Sequence, residues 1–369
     1  MKKYLFKTFQ ALLVFSLAFT LTSCWNFDNP LEEMSGSGSG GSGDGGGSST
    51  VNATSLALDA ILRLDKTTPK ALTPTVTPSD ADITWTSSDE TIATVDATGK
   101  VTPIKVGKVT IKATSGDLSA ISNVIVYDKI VDISSGAVTV TANEEWLIEG
   151  NGTAVANGIT IGDGATVTLN GININNNNIT CSGNATIILA DGSENKVTEQ
   201  SYKAGIQIGG TGTTLTIDAE TVGDGQLTVQ GGNKSAGIGT AHAQSGTSTG
   251  GNIVINGGTV KATGGTNAAG IGTGCSDQAA LPTSNTCGAI TIGAGVKSVT
   301  ATKGSGSPNS IGKGASEHGG NQTCGDIYFD IKVATAGAYS ITTTDGTYTH
   351  GGLSLAISGN TWTLTPVAP

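Results

Sequence analysis

Arginine is nearly missing from this sequence: Arg63 is the single arginine among 369 residues. Aromatic residues are also scarce, at 4% of the chain. The chain has 19 basic and 29 acidic residues, which gives a formal net charge of −10. Nucleic acids and anionic membrane faces are recognised by clusters of Lys and Arg. The acidic balance therefore argues against both of them as partners.

Long apolar runs are missing beyond residue 24, so no later stretch resembles a membrane-spanning helix. The run from Ala11 to Leu21 follows three lysines within the first seven residues and is short for a spanning helix. It ends at Leu21-Thr22-Ser23-Cys24, which resembles the lipobox of bacterial lipoproteins. The resemblance implies that residues 1–24 are a lipoprotein signal peptide and that Cys24 carries the lipid. An ordinary secretion signal with an incidental cysteine is the alternative.

Residues 25–50 are rich in glycine and serine, above all from Ser35 to Thr50. Such a segment is a flexible coil with an average span of roughly 22 Å. We interpret it as a tether that holds the folded part of the chain clear of the lipid headgroups. With the lipobox, it resembles surface lipoproteins of the Bacteroidetes type, which implies display at the cell surface on the outer membrane.

Residues 51–129 contain short alternating strands with turn signals about every ten residues, the pattern of a small antiparallel sandwich. Segments such as Trp85-Thr86-Ser87-Ser88-Asp89, Ile92-Ala93-Thr94-Val95-Asp96 and Thr98-Gly99-Lys100-Val101-Thr102 resemble the bacterial Ig-like group 2 family. The resemblance implies an immunoglobulin-like β-sandwich, with Trp85 in its core. The family occurs in adhesins and as a spacer in surface enzymes, so it implies surface exposure more than one particular ligand.

A repeat dominates the chain from Ala204 to Ala315. The isoleucines of its Ala-Gly-Ile and Ser-Ile-Gly segments, Ile206, Ile238, Ile271 and Ile311, are 32, 33 and 40 residues apart. Each repeat holds three short runs with alternating apolar residues, separated by glycines that permit tight corners. Stacked three-strand units of this kind predict an all-β fold in which residues 131–369 form a parallel β-helix. The pattern resembles the pectin-lyase-like proteins, which implies a single-stranded right-handed coil.

Known β-helix enzymes supply a test for catalysis. Resemblance to the pectate lyases would imply Ca²⁺-binding aspartates and an Arg or Lys base on one face of the helix. In this sequence no arginine follows Lys129. The Asn-Thr-Asp, Asp-Asp, Gly-His-Gly and Arg-Ile-Lys segments of polygalacturonases are also missing, and His318-Gly319-Gly320 matches only a fragment of one. The sequence therefore predicts a protein that is not an enzyme.

Three aspartates lie in Gly-Asp-Gly or Ala-Asp-Gly corners, and we expect them to stack in one column: Asp163, Asp191 and Asp224. Stacked carboxylates could hold Ca²⁺, which takes several oxygen ligands. The alternatives are a catalytic pair of acids, or that Asp-Gly simply favours turns. The sequence requires no cofactor, and Ca²⁺ is the one metal that this column suggests.

Long loops follow the Ile-Gly strands at 240–251, 273–288 and 313–325, and we expect these loops to stack. They carry His242 and His318, which we predict to contact a ligand, together with three cysteines. Cys287 and Cys324 occupy equivalent places in consecutive repeats, so stacking brings them within disulfide range. A Cys275–Cys287 bridge and a Zn²⁺ site remain as alternatives.

A second predicted contact surface lies on the last coils, where Tyr328, Tyr339 and Tyr348 could stack on sugar rings or cap the helix end. The sequence thus favours a monomeric surface lipoprotein that binds an extracellular glycan or another host or cell-surface component without cleaving it. A carbohydrate-active enzyme with an unrecognised site is the alternative, and a purely structural surface module is a third reading.

We expect Cys24→Ser to move the protein from the membrane fraction to the soluble fraction. Loss of the acyl chains removes about 0.8 kcal/mol of binding per buried CH₂. Fractionation of cells that express each form measures this, and unchanged partitioning of the variant would rule out the lipobox interpretation.

Overall fold

A computed structural model of the chain describes residues 50–277, 283–293 and 295–330, with further strands at 340–342, 349–350, 353–358 and 361–366. Cys24, the signal peptide and the tether to residue 49 lie outside the described residues, as do Tyr339 and Tyr348. The described part is all-β, as the sequence predicts, with one 3₁₀ turn at Ile133–Ser135. Within it, no helix has the length and apolar character needed to cross a membrane.

A β-sandwich comes first. Its strand pairs are antiparallel, as the sequence predicts, except that Ile61–Asp65 runs parallel to Leu118–Tyr127. Its four-stranded sheet contains Ile61–Asp65, Leu118–Tyr127, Gly107–Ser115 and Thr84–Ser87. The three-stranded sheet contains Lys70–Ala71, Lys100–Pro103 and Ala93–Val95, and the two-stranded sheet pairs Ser55–Ala57 with Thr75–Thr77. Trp85 packs against the buried core of this sandwich, as predicted. A Cβ atom on Gly99, whose φ is +81°, would lie 2.6 Å from the Trp85 ring, which explains why the tight turn carries glycine.

A parallel β-helix follows, with three sheets. Sheet 1 contains Lys129–Asp132, Glu145–Glu149, Ala165–Asn170, Ala185–Leu189, Thr214–Ala219, Asn252–Ile255, Ile290–Gly293 and Ile327–Asp330. Sheet 2 contains Asn173–Asn175, Glu194–Thr198, Gln226–Gln230, Gly258–Thr263, Val296–Thr302 and Ser340–Thr342, followed by the antiparallel strands Thr361–Pro366, Leu353–Ser358 and Thr349–His350. Sheet 3 contains Val138–Val140, Ile159–Ile161, Ile179–Cys181, Ile206–Ile208, Ile238–Gly239, Ile271–Gly272 and Ile311–Gly312.

The core of the helix is a stack of equivalent side chains. The four repeat isoleucines pair in register along sheet 3, from Ile206 through Ile238 and Ile271 to Ile311. All four are buried, and they belong to one apolar cluster that runs from Ile133 to Phe329. The spacing of the isoleucines in the sequence therefore equals the number of residues in one coil, as predicted.

The glycines that follow Ile238 and Ile271 are explained by the same stacking. Gly239 and Gly272 have φ values of +140° and +131°, which L side chains rarely adopt. A Cβ on Gly239 would lie 1.8 Å from the carbonyl oxygen of Gly272 in the next coil. Only glycine lets the backbones of successive coils approach this closely where the chain leaves sheet 3.

The sandwich docks on the helix through a buried ion pair. Both carboxylate oxygens of Glu220 accept hydrogen bonds from Arg63, one of them at 2.9 Å from Nε, and Tyr127 donates to the same carboxylate at 3.3 Å. The side chain of Glu220 is 1% exposed and that of Arg63 is 20% exposed. Ile125 and Tyr127 of the sandwich also pack on Leu147, in the second strand of sheet 1. The single arginine of the chain thus joins two domains.

We expect Ile253→Asp to lower the melting midpoint by roughly 6 °C or more, because an unpaired charge would enter the apolar stack. Val254→Asp is the matched control, since Val254 neighbours Ile253 but faces outward from sheet 1. Thermal unfolding followed by circular dichroism measures both variants. Equal melting midpoints for the two would contradict the register described above.

Candidate functional site: the loop groove

The three long loops build an extra layer beside sheet 3. Their strands Thr247–Thr249, Ser284–Cys287 and Asn321–Cys324 pair in parallel, and we call this the loop sheet. A second pair joins Ser276–Asp277 to Ser316–Glu317. The loops therefore stack in the register of the coils beneath them, as expected from the sequence.

The cysteines follow this register. Cys287 and Cys324 are direct partners in the loop sheet and form a disulfide, with a Cα–Cα distance of 4.6 Å. Cys275, the rival partner, is a buried free thiol, and burial raises its pKa to about 11. Cys181 is likewise buried and free, with a pKa raised by burial to about 12.

Two amide side chains fill the space between the coils and the loop sheet. Asn285 accepts a hydrogen bond from the Thr240 hydroxyl and donates to the carbonyl oxygens of Ala241 at 2.8 Å and Cys275 at 3.3 Å. One coil further on, Gln322 repeats the pattern. It accepts from Thr273 at 2.7 Å and donates to Gly274 at 3.1 Å and to Ala315 at 2.9 Å. We call this pair the amide ladder.

A polar groove of about 320 Å³ lies at the end of the loop sheet that is formed by its first strand, Thr247–Thr249. We call it the loop groove, and its lining is uncharged apart from a histidine: Gln207, Ile208, Gly209, Thr240, His242, Ala243, Ser245, Thr247, Ser248 and Thr249. Hydroxyl and amide groups dominate this wall, so the groove suits a ligand that is itself rich in hydroxyl groups.

His242 connects the groove to an exposed aromatic ring. The Tyr202 ring lies 5.4 Å from the His242 ring, centroid to centroid, and Tyr202 is 49% exposed. Burial lowers the pKa of His242, which favours the neutral ring. Both ring nitrogens are shielded from water, and no group of the described residues hydrogen-bonds them. Leaving such groups without partners costs about 1–3 kcal/mol each.

A charge cluster lies on the next coils. Lys234 contacts Glu317 at 2.6 Å and Asp277 at 3.3 Å, and the His318 ring nitrogen Nδ1 lies 2.9 Å from Asp277. The bond to His318 lowers the pKa of the Asp277 carboxyl, and the bond to Lys234 lowers that of Glu317. Asp277, Glu317 and His318 have the geometry of a metal-ligand trio, but the Lys234 ammonium already pairs with both carboxylates.

The prediction that three aspartates stack in one column is wrong. Asp191 and Asp224 lie at the corner between sheets 1 and 2, whereas Asp163 lies between sheets 3 and 1. The physical reason is that Asp-Gly suits any of the three corners, so the dipeptide does not identify which corner it occupies. Asp163 accepts from the Asn184 amide at 2.7 Å, and Asp224 accepts from the Gly192 amide at 2.6 Å.

Asp191 caps a turn in the same way. It accepts from the Val222 amide at 2.9 Å and from the Thr221 hydroxyl. Burial raises its pKa, but these hydrogen bonds outweigh burial and lower it overall. The three predicted Ca²⁺ ligands therefore act at separate turns, and among the described residues they form no metal-ligand group.

Tyr328, the one member of the predicted tyrosine patch whose side chain is described, is 43% exposed and donates to Asp326 at 3.0 Å. Sequence reasoning missed Tyr202 as a site residue, although it precedes the first Ala-Gly-Ile segment of the repeat. It also missed Lys234, which lies two residues before the second such segment.

A second pocket of about 390 Å³ lies where the sandwich meets the helix, and two of its carboxyl groups have opposite pKa shifts. Burial raises the pKa of Glu145. Burial also raises that of Asp128, but hydrogen bonds from Lys66 and from the Glu145 amide outweigh it and lower the pKa. Divergent pairs of this kind occur at acid–base sites.

Comparison with known proteins places the sandwich in a family. Residues 59–124 match the bacterial Ig-like domain (group 2), so this part of the chain is a domain of that family. The chain is 40% identical over 91 residues to a lacto-N-biosidase of Bifidobacterium bifidum, and 43% identical over 68 residues to an alpha-L-arabinofuranosidase of Bifidobacterium longum. It is also 41% identical over 75 residues to an uncharacterised protein of Clostridium acetobutylicum.

These similarities are short. They cover 24%, 18% and 16% of this chain but only 8%, 6% and 8% of the three relatives, in the order given above. For the two glycosidases the similarity lies in the Ig-like region. The chain therefore shares a domain with proteins named for acting on carbohydrates, while the comparison says nothing of the β-helix.

Peptide mapping without reductant should return one cross-linked peptide, Cys287 with Cys324. Cys181 and Cys275 should react slowly with iodoacetamide in the native protein, because burial and a raised pKa suppress the thiolate. Unfolding in denaturant serves as the control and should expose both thiols. A Cys275–Cys287 peptide would contradict the loop register.

Proposed function

We propose that this protein is a lipid-anchored cell-surface protein whose β-helix binds an extracellular glycan in the loop groove without cleaving it. The observation that carries the proposal is a groove lined with hydroxyl and amide groups, in which one lining residue, His242, lies against the exposed ring of Tyr202. The lipobox at Cys24 and the tether support the location, and the Ig-like domain supports a carbohydrate-related context.

Sugar rings have apolar C–H faces and polar hydroxyl edges. The exposed face of Tyr202 offers an apolar platform, and an aromatic ring loses little conformational entropy when it is covered. Thr247, Thr249 and Gln207 offer donors and acceptors for the hydroxyl edge. A turn of the His242 ring would bring its unpaired nitrogens to the groove, where hydroxyl groups can both donate and accept.

The charge cluster argues against catalysis beside this groove. A glycosidase needs one carboxylic acid that stays protonated near neutral pH and one carboxylate. Both Asp277 and Glu317 have lowered pKa values, and Lys234 binds both, so neither carboxyl is poised as the acid.

Hydrolysis at the pocket where the sandwich meets the helix, which we call the junction pocket, is the second candidate function. Its support is the divergent pair Glu145 and Asp128, in which Glu145 would be the proton donor and Asp128 the carboxylate. Asp128 is, however, bound to Lys66 at 2.8 Å, which reduces its availability as a base or nucleophile. We therefore favour binding over cleavage.

Tyr202→Ala should weaken binding of the best glycan on an array about tenfold, because it removes one aromatic platform. Tyr328→Ala is the matched control: its ring is similarly exposed, at 43%, but lies on a later coil. Affinities of the whole chain are measured by calorimetry with the glycan selected on the array.

Two outcomes would contradict the proposal. Loss of binding in Tyr328→Ala but not in Tyr202→Ala would move the site to the last coils. Release of reducing ends by the wild-type chain, abolished in Glu145→Gln, would establish hydrolysis at the junction pocket instead.

A further inference from the structure

We propose that the open edge of the sandwich strand Ile61–Asp65 binds an extended, basic segment of a partner protein, which pairs with it as an added β-strand. The site is a groove of about 580 Å³, and it shares no lining residue with the loop groove. The inference therefore concerns a second surface and does not depend on glycan binding.

The groove runs along one side of the sandwich, and we call it the edge groove. One wall is the whole of Ile61–Asp65, and the opposite wall is formed by residues 68–73. Ile130 and Glu149, from the first two strands of sheet 1, line it on the side of the helix. Both sandwich walls contain the outermost strand of a sheet, since Ile61–Asp65 ends the four-stranded sheet and Lys70–Ala71 ends the three-stranded one.

The backbone of Ile61–Asp65 is paired on one side. Its partner in the sheet is Leu118–Tyr127, which runs parallel to it. Two hydrogen bonds just beyond the strand ends, each of 2.8 Å, fix the phase of this pairing: from the Asn123 amide to Ala60, and from the Lys66 amide to Tyr127. In a parallel pair every second residue bonds to the neighbouring strand. The even-numbered residues therefore face the partner strand, and the odd-numbered ones turn their backbone groups away from it.

The outward backbone amides belong to Ile61, Arg63 and Asp65. Among the described residues, none accepts a hydrogen bond from these three N–H groups. Natural sheets protect such edges with proline, bulges or exposed charges. This strand contains no proline, its pairing has no register shift, and the charge of Arg63 is held by Glu220. The edge therefore presents the donors and acceptors that an added strand uses.

Both faces of this strand are fixed, so the edge groove is formed before a partner arrives. Leu62 and Leu64 are buried in the core of the sandwich. On the other face, Ile61 packs on the apolar cluster that joins the sandwich to the helix, and Arg63 binds Glu220. A site that is ordered in advance costs little conformational entropy when it is filled.

The charge of the edge groove favours a basic segment. Its lining carries three carboxylates and two cations: Asp59, Asp65, Glu149, Arg63 and Lys70. Because Arg63 is already paired with Glu220, three carboxylates remain for one lysine. The hydrogen bond from the Thr67 hydroxyl lowers the pKa of Asp65, which keeps this carboxyl ionised. An extended segment with Lys or Arg at alternate positions places its charges on one side, where they meet these carboxylates.

Two other occupants fit this charge poorly. A second copy of the chain would bring the same three carboxylates against the groove, and like charges repel. Residues 25–49 of this chain contain four acidic residues and no basic one, so they repeat the charge of the groove. The observations therefore favour a different protein as the partner.

The test begins with an array of seven-residue peptides that carry lysine at alternate positions and varied β-forming residues between them. We expect the whole chain to bind members of this array, and anisotropy measures the affinity of the best one in solution. Glutamate in place of lysine should weaken it roughly tenfold or more. Hydrogen–deuterium exchange should show that the bound peptide protects the amides of Ile61–Asp65.

Two N-methylated forms of the same peptide separate strand addition from attraction by charge. Each form carries methyl groups on one of the two alternating sets of backbone amides, and both keep the lysines. Only one set of N–H groups faces the edge of the sheet. We therefore expect one form to lose binding roughly tenfold or more and the other to bind like the parent peptide.

Asp65→Pro should weaken the peptide roughly tenfold relative to Asp65→Ala, which is the matched control. Both variants lose the carboxylate that accepts from Thr67, but only proline also removes the amide from the edge. Melting curves check that both variants fold. The N-methylated peptides are measured on the wild-type chain, so they decide the matter even if Asp65→Pro does not fold.

Four outcomes would overturn the proposal. Equal affinity for the parent peptide and both methylated forms would show attraction by charge alone. Exchange protection in the 240–251 loop instead of Ile61–Asp65 would place the peptide on another surface. A dimer in sedimentation that Asp65→Pro converts to a monomer would assign the edge to a second copy of the chain. Failure of every peptide on the array would remove the strand-binding role.

Discussion

The in-register stacking of equivalent residues from coil to coil is the constraint on which the described structure depends. A coil of three short strands cannot bury its isoleucines alone, so each coil takes its support from the next. The same register aligns groups outside the core: it sets Cys287 beside Cys324 and Asn285 beside Gln322 in the amide ladder. Because Ile238 and Ile271 pair in register, the loops that follow them also pair in register.

Because the core requires only that the strands return in register, the connecting loops can lengthen at little cost to stability. The chain uses this freedom on one edge, where the loops after sheet 3 carry a second layer of strands. The groove forms where that layer begins, since the coil that ends at Ile208 is followed by a much shorter connection. A candidate binding site thus arises from a change in loop length, without any irregularity in the core.

The sequence predicts the repetitive parts of this structure better than the particular ones. The isoleucine period predicts the parallel sheets, and the equivalent positions of Cys287 and Cys324 predict their contact, because stacking converts sequence period into distance. The aspartate column failed since three corners share one turn chemistry, and Asp163 occupies a different corner from Asp191. The groove could not be predicted either, because it depends on where the loop sheet begins, and the loop strands carry no apolar alternation that would reveal them in the sequence.

The contact of Arg63 with Glu220 spans 157 residues of sequence and has no local signal. It has a mechanical consequence. An Ig-like domain joined end to end with its neighbour acts as a hinged link, and a pull on a bound ligand first straightens that hinge. In this protein part of the load passes through the buried ion pair: from Glu220, which follows the fifth strand of sheet 1, to Arg63 of the sandwich. A pull on the β-helix therefore reaches the sandwich through this ion pair as well as through the backbone that connects the two domains.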